Sequence, residues 1–150
     1  MAQKQQQVLI NALKLELQFC ERGGYTTIVE KPRERTNPKQ SPSTSPRAES
    51  TSEFRKERSI FLDSPWCLNY RLPIREHPCS QCWLINFVPA EKQGEAVPCH
   101  HIPLNERGDT LATLGGPGDA PDVQQAVRAW LRAKIQELES ARAESQQQRP

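Results

Sequence analysis

A chain of 150 residues with net charge +2, thirteen prolines and 35% hydrophobic residues has room for one domain with a small core, since globular domains average about 45–50% apolar residues when Gly is counted. No run approaches the roughly 18 apolar residues of a membrane span, and the polar start Met1-Ala2-Gln3-Lys4 lacks an export signal's apolar stretch. The expectation is therefore a soluble, cytoplasmic protein whose core needs a staple, a metal or disulfides.

Charge is unevenly spread. Residues 1–59 hold eleven Lys/Arg against seven Asp/Glu, residues 60–121 four against seven, and residues 122–150 five against four. The middle segment holds four of the five cysteines and is acidic. That disfavours a phosphate-gripping surface there, where nucleic-acid binders concentrate Lys and Arg.

In chain order, residues 4–21 predict an amphipathic helix. Leu9, Leu13 and Leu17 recur every fourth residue, Val8, Ala12, Leu15 and Phe19 widen the apolar face, and Gly23-Gly24 stops the helix. Cys20, in its last turn, reads as a small buried apolar residue. Tyr25-Thr26-Thr27-Ile28-Val29 predicts a short strand, closing an N-terminal unit over 4–29. Residues 30–58, rich in Pro, Ser and charge, predict a disordered linker, because such a composition buries too little surface to offset its ordering entropy.

A cysteine-rich domain is expected over 59–143. Ser59–Asp63 and Trp83–Val88 predict strands, and Thr110–Leu114 a strand or a helical turn. The last element, over 120–143, is a helix with Asp119 as N-cap and Pro121 in its first turn. Its stripe of Val123, Val127, Trp130, Leu131, Ile135 and Leu138 is expected to pack on a small β core, with Gln124 and Arg128 facing away. Residues 144–150 should form a disordered tail. The fold class expected is α+β: a metal-stapled domain of short strands and irregular segments with a C-terminal amphipathic helix, plus an N-terminal helix.

The chemistry lies in the cysteines. Cys79-Ser80-Gln81-Cys82 can turn two thiolates onto one ion, and Cys67 and Cys99 complete four sulfur ligands of the kind structural zinc takes. His101 is the alternate to Cys67, being sterically easier than His100 beside Cys99; otherwise both histidines are expected as second-shell donors to thiolate sulfur. An odd cysteine count in a reducing compartment argues against a disulfide framework. An iron–sulfur cluster takes the same four cysteines and is the alternative. Thiol–disulfide exchange through Cys79 and Cys82 would need a helix after the pair, where an apolar strand-like run stands.

His100-His101-Ile102-Pro103-Leu104 resembles the first half of the HNH nuclease motif over that short stretch. That family needs a further histidine downstream, and none follows His101. The expected function is a non-enzymatic interaction or regulatory protein with structural zinc, the amphipathic helices supplying surfaces for a protein partner or self-association; electron transfer or redox sensing through an iron–sulfur cluster is the alternative.

Overall fold

The computed structural model describes residues 2–26, 28–30, 54–56, 58–115 and 118–149. Most of the expected linker lies outside the described residues. Helix α1 spans Gln3–Glu21, α2 Leu111–Leu114 and α3 Pro121–Gln147. Strands β1 (Ile28–Glu30) and β2 (Phe54–Lys56) pair antiparallel over three residues, Val29 opposite Arg55.

The α+β class is overturned. Apart from that short ribbon, the described chain is helix and irregular turn. The expected strand at Trp83–Val88 is a 3-10 turn over Trp83–Phe87, its amides bonding backward, Ile85 N–H to Cys82 O at 3.1 Å and Val88 N–H to Ile85 O at 3.2 Å. Among the described residues no neighbouring strand takes those amides, and a buried backbone donor must be satisfied locally when no ladder exists. Ser59–Asp63 is likewise a turn, closed by Asp63 N–H to Ser59 O at 3.0 Å and Ser59 N–H to Asp63 Oδ2 at 2.5 Å. Phe61 within it sits at φ 67°, outside the extended region that a strand requires. Thr110–Leu114 takes its helical alternative, with reciprocal Thr110–Thr113 capping.

The helices follow the sequence more closely. α1 ends as expected: Gly23 has φ +76°, its N–H bonds Cys20 O, and Gly24 N–H reaches Phe19 O, the paired closure that needs a left-handed residue. α3 starts one residue later than expected, with Ala120 rather than Asp119 at the N-cap position, and runs on to Gln147, into the expected tail.

α3 packs against α1 rather than a β core. The pair is antiparallel, since Gln6 Nε2 donates to Leu138 O at 3.2 Å at one end and the Cys20 thiol to Gln124 Oε1 at 3.5 Å at the other. Gln124, expected to face away, also donates to Gly118 O at 2.7 Å. Along one edge, Lys14 meets Glu139 at 2.5 Å and Glu21 meets Arg132 at 2.6 Å, a spacing of seven residues on both helices. All four side chains are exposed, so each pair contributes about 1 kcal/mol or less.

The buried face of α1 is Leu9, Ile10, Leu13, Glu16 and Cys20, a four–three–four rhythm like that of a coiled-coil seam. Val8 and Leu15, expected on that face, are 64% and 41% exposed. One apolar cluster joins Leu13 and Cys20 of α1, Val127 and Leu131 of α3, and Phe61, Leu84 and Ile102 of the cysteine-bearing segment. Trp130 sits between the rings of Phe61 and Phe87, edge-on to each at centroid distances of 6.1 and 5.2 Å.

Glu16 is fully buried in this seam. Its carboxyl accepts the hydroxyls of Tyr25 and Ser64, the latter at 2.5 Å, and Tyr25 Oη in turn accepts Phe61 N–H at 3.1 Å. These bonds tie α1 to the turns leading to Cys67. Burial raises the Glu16 carboxyl above its ordinary 4.5, against the opposing pull of the Ser64 and Tyr25 hydroxyls. A folded-state value above the unfolded one means the folded chain holds the proton more tightly. Its stabilising contribution is then complete below the unfolded value and is lost as pH rises through the folded one. Relative to Glu16→Gln, the wild type should therefore lose stability as pH is raised from that ordinary value of 4.5. Urea unfolding of both proteins across pH checks this, because any metal-linked acid sensitivity is common to both; a pH-independent difference contradicts it.

Candidate metal centre

Three separate turns bring the cysteines together. Cys67 lies in a run of tight turns, where its N–H bonds Ser64 O and its carbonyl accepts Tyr70 N–H, both at 3.0 Å. The loop that follows is clamped by Asn69, whose side chain both donates to His77 O and accepts His77 N–H at 2.9 Å. Pro78, with fixed φ, then starts a 3-10 turn over Cys79–Gln81. Cys82 N–H closes on Cys79 O at 3.0 Å, folding the two-residue spacer, and both residues line the same cavity. Cys99 comes from the last such turn, Pro98–His101.

All four of Cys67, Cys79, Cys82 and Cys99 line one cavity of about 30 Å³. Its wall is otherwise mostly apolar, including Phe61, Leu84, Val88 and Pro98. All five cysteines of the chain are free thiols, and the fifth, Cys20, is buried between α1 and α3.

The electrostatics follow from that crowding. Burial pushes the Cys99 thiol up to about 12, and the neighbouring Cys82, Cys67 and Cys79 push in the same direction. The Cys82 thiol is raised for the same reasons, burial first, while the Leu84 backbone N–H lowers it. Two or more thiolates here would repel one another in a poorly solvated space, so ionising the set requires a cation among them. Arg75 is the one basic side chain on the wall, and its guanidinium also donates to Ala96 O at 2.5 Å.

Among the described residues, no three or more His, Cys, Asp or Glu side chains stand in coordination geometry about one point. The thiols share a cavity without being drawn onto a centre. Four sulfurs, a mostly apolar wall and a backbone N–H on one of the thiols are the chemistry from which a thiophilic dication is bound, here without coordinating geometry.

The histidines are placed differently from the cysteines. His100 Nε2 lies 3.0 Å from Ile60 O and 3.3 Å from Ser59 Oγ. A carbonyl only accepts, so Nε2 carries the hydrogen and is occupied with the 59–60 turn. Burial lowers the His100 pKa, which suits a neutral ring in that role. His101 is half-buried in the same turn, and neither ring is part of the cavity wall. His77 is exposed. Sequence reasoning missed Arg75, the Leu84 N–H and the Glu16–Tyr25–Ser64 belt; only the last left a trace, in Glu16 falling on the seam rhythm of α1.

Comparisons with protein families, with curated proteins and with solved structures found no match. Among the described residues, no helix is long and apolar enough to cross a membrane.

Proposed function

We propose that Cys67, Cys79, Cys82 and Cys99 hold one zinc ion as the structural staple of a non-enzymatic interaction protein of the cytoplasm. The observation that carries this reading is that four cysteines from three turns line one cavity. Binding zinc would displace the thiol protons, turn the mutual repulsion of four sulfurs into attraction to the ion, and close all coordination positions to substrate. A closed tetrahedral sulfur site is a staple rather than a Lewis acid. Free cysteines throughout the chain accord with a reducing compartment.

His101 as a fourth ligand in place of Cys67 is the weaker set, because Cys67 is on the wall and His101 is not.

Metal chelation tests the staple directly. A zinc chelator is expected to abolish cooperative thermal unfolding followed by circular dichroism, and added zinc to restore it, because structural zinc contributes directly to folding. An unchanged melting curve after complete chelation would sink the proposal.

A further inference from the structure

A second, open cavity of about 570 Å³ lies between the start of α1 and the turns that carry Cys79 and Cys82. Its lining includes Lys4, Gln5 and Val8 from α1 and Gln81, Trp83 and Asn86 from the turns. Val8 is 64% exposed and Trp83 half-buried, so the floor is apolar and accessible. The rim is made of amides. Asn86 Nδ2 donates one hydrogen to Trp83 O at 3.0 Å, which leaves its carbonyl to accept, while the Gln5 and Gln81 side chains have no hydrogen-bond partner among the described residues. Neutral donors and acceptors around an apolar slot match the alternating N–H and C=O groups of an extended peptide backbone.

The charge of this groove has one sign. Residues 2–15 contain Lys4 and Lys14 and no carboxylate, and residues 79–90 contain no charged side chain. Lys14 is paired with Glu139, whereas Lys4 takes part in no ion pair among the described residues. The N-terminus of α1 opens at the same end. Ala2 provides no side-chain cap, and the first turn holds no acidic residue. The unpaired N–H groups and positive dipole end of this 19-residue helix therefore add to the charge of Lys4.

We propose that this groove seats an extended acidic peptide of a protein partner, with a carboxylate at Lys4 and the α1 N-terminus and an apolar side chain between Val8 and Trp83. The inference deepens the interaction-protein reading and rests on it. Trp83 directly follows Cys82, so a zinc knuckle would hold one wall of the groove in place, and the staple would serve to present a docking surface. The faces that α1 and α3 bury against each other are not available for that purpose.

The test is selection of a random peptide library displayed on phage against the zinc-loaded full chain, with zinc content and fold measured on the same sample. Expected is enrichment of Asp or Glu next to Leu, Phe or Trp. The best peptide, synthesised and titrated, should bind Lys4→Glu and Val8→Glu about tenfold or more weakly, as loss of a paired charge or a central apolar contact does at interfaces. Ile74→Ser removes an apolar residue of similar exposure (70%) outside the groove and should leave binding unchanged. A zinc-loaded, folded chain that enriches no acidic motif, or whose peptides bind Lys4→Glu equally well, overturns the groove and leaves the zinc reading intact. Competition by a random single-stranded oligonucleotide, with no peptide selected, would make the site a phosphate site and also overturns it. A folded chain without zinc that still selects acidic peptides contradicts the zinc reading instead.

Discussion

Cys99→Ser is expected to lose the metal and the fold together. Burial pushes the Cys99 thiol up to about 12, and the other three cavity cysteines push in the same direction, so it depends strongly on a cation to ionise. Structural zinc in small domains supplies about 10–16 kcal/mol of apparent binding energy that is available only to the folded chain. Whole domains are stable by only about 5–15 kcal/mol. Weakening the site by one ligand should therefore remove most of the net stability, read as loss of the cooperative thermal transition and of bound zinc in the purified protein. Cys20→Ser is the matched control. Its thiol is raised to about 11 by burial but lies between α1 and α3, so that variant should keep its zinc and lose stability only modestly. Equal effects of the two substitutions would argue that the cavity thiols are ordinary core residues.

The second large effect is expected at the helix pair. Leu13 and Leu131 are fully buried, within the seam where α1 lies antiparallel to α3. Truncating either to alanine removes apolar contact and leaves a void that a close-packed interface refills poorly, at a cost of about 2–5 kcal/mol each. Val8→Ala, on the same helix but at an exposed position, should change stability by less than about 0.5 kcal/mol. Urea unfolding midpoints of the three variants check the contrast. If Val8→Ala costs as much as Leu13→Ala, the seam has been assigned to the wrong face of α1.

That face was only partly legible in the sequence. The leucine period located the helix and Gly23 its end, because both signals are local. Which flank of a broad apolar surface is buried depends on the partner helix, and nothing in α1 names α3. Glu16 illustrates the point: a carboxylate in a helix reads as solvated, yet here the hydroxyls of Tyr25 and Ser64 allow it to occupy a seam position. The apolar run Trp83–Val88 departs from the expected strand for a related reason. Its composition fits a buried strand, but a strand needs a ladder partner, and the flanking turns supply none, so the run coils into a 3-10 turn. The gathering of Cys67, Cys79, Cys82 and Cys99 on one cavity is the feature nearest to what their spacing suggests. The two-residue spacer between Cys79 and Cys82 is a local turn signal, whereas the choice of Cys67 over His101 on the cavity wall depends on how the 64–72 turns fold back, which spacing does not encode. Arg75 on the cavity wall and the Leu84 N–H, which lowers the Cys82 thiol, carry no sequence signature.

Native mass spectrometry of the freshly purified full chain, with elemental analysis of the same sample, addresses the central claim most directly. The account predicts one zinc per chain in a colourless protein. Cys67, Cys79, Cys82 and Cys99 should be protected from alkylation until a chelator is added. A chain that is folded and free of metal with those thiols reactive, or one that carries iron and inorganic sulfide with visible absorption, would contradict it.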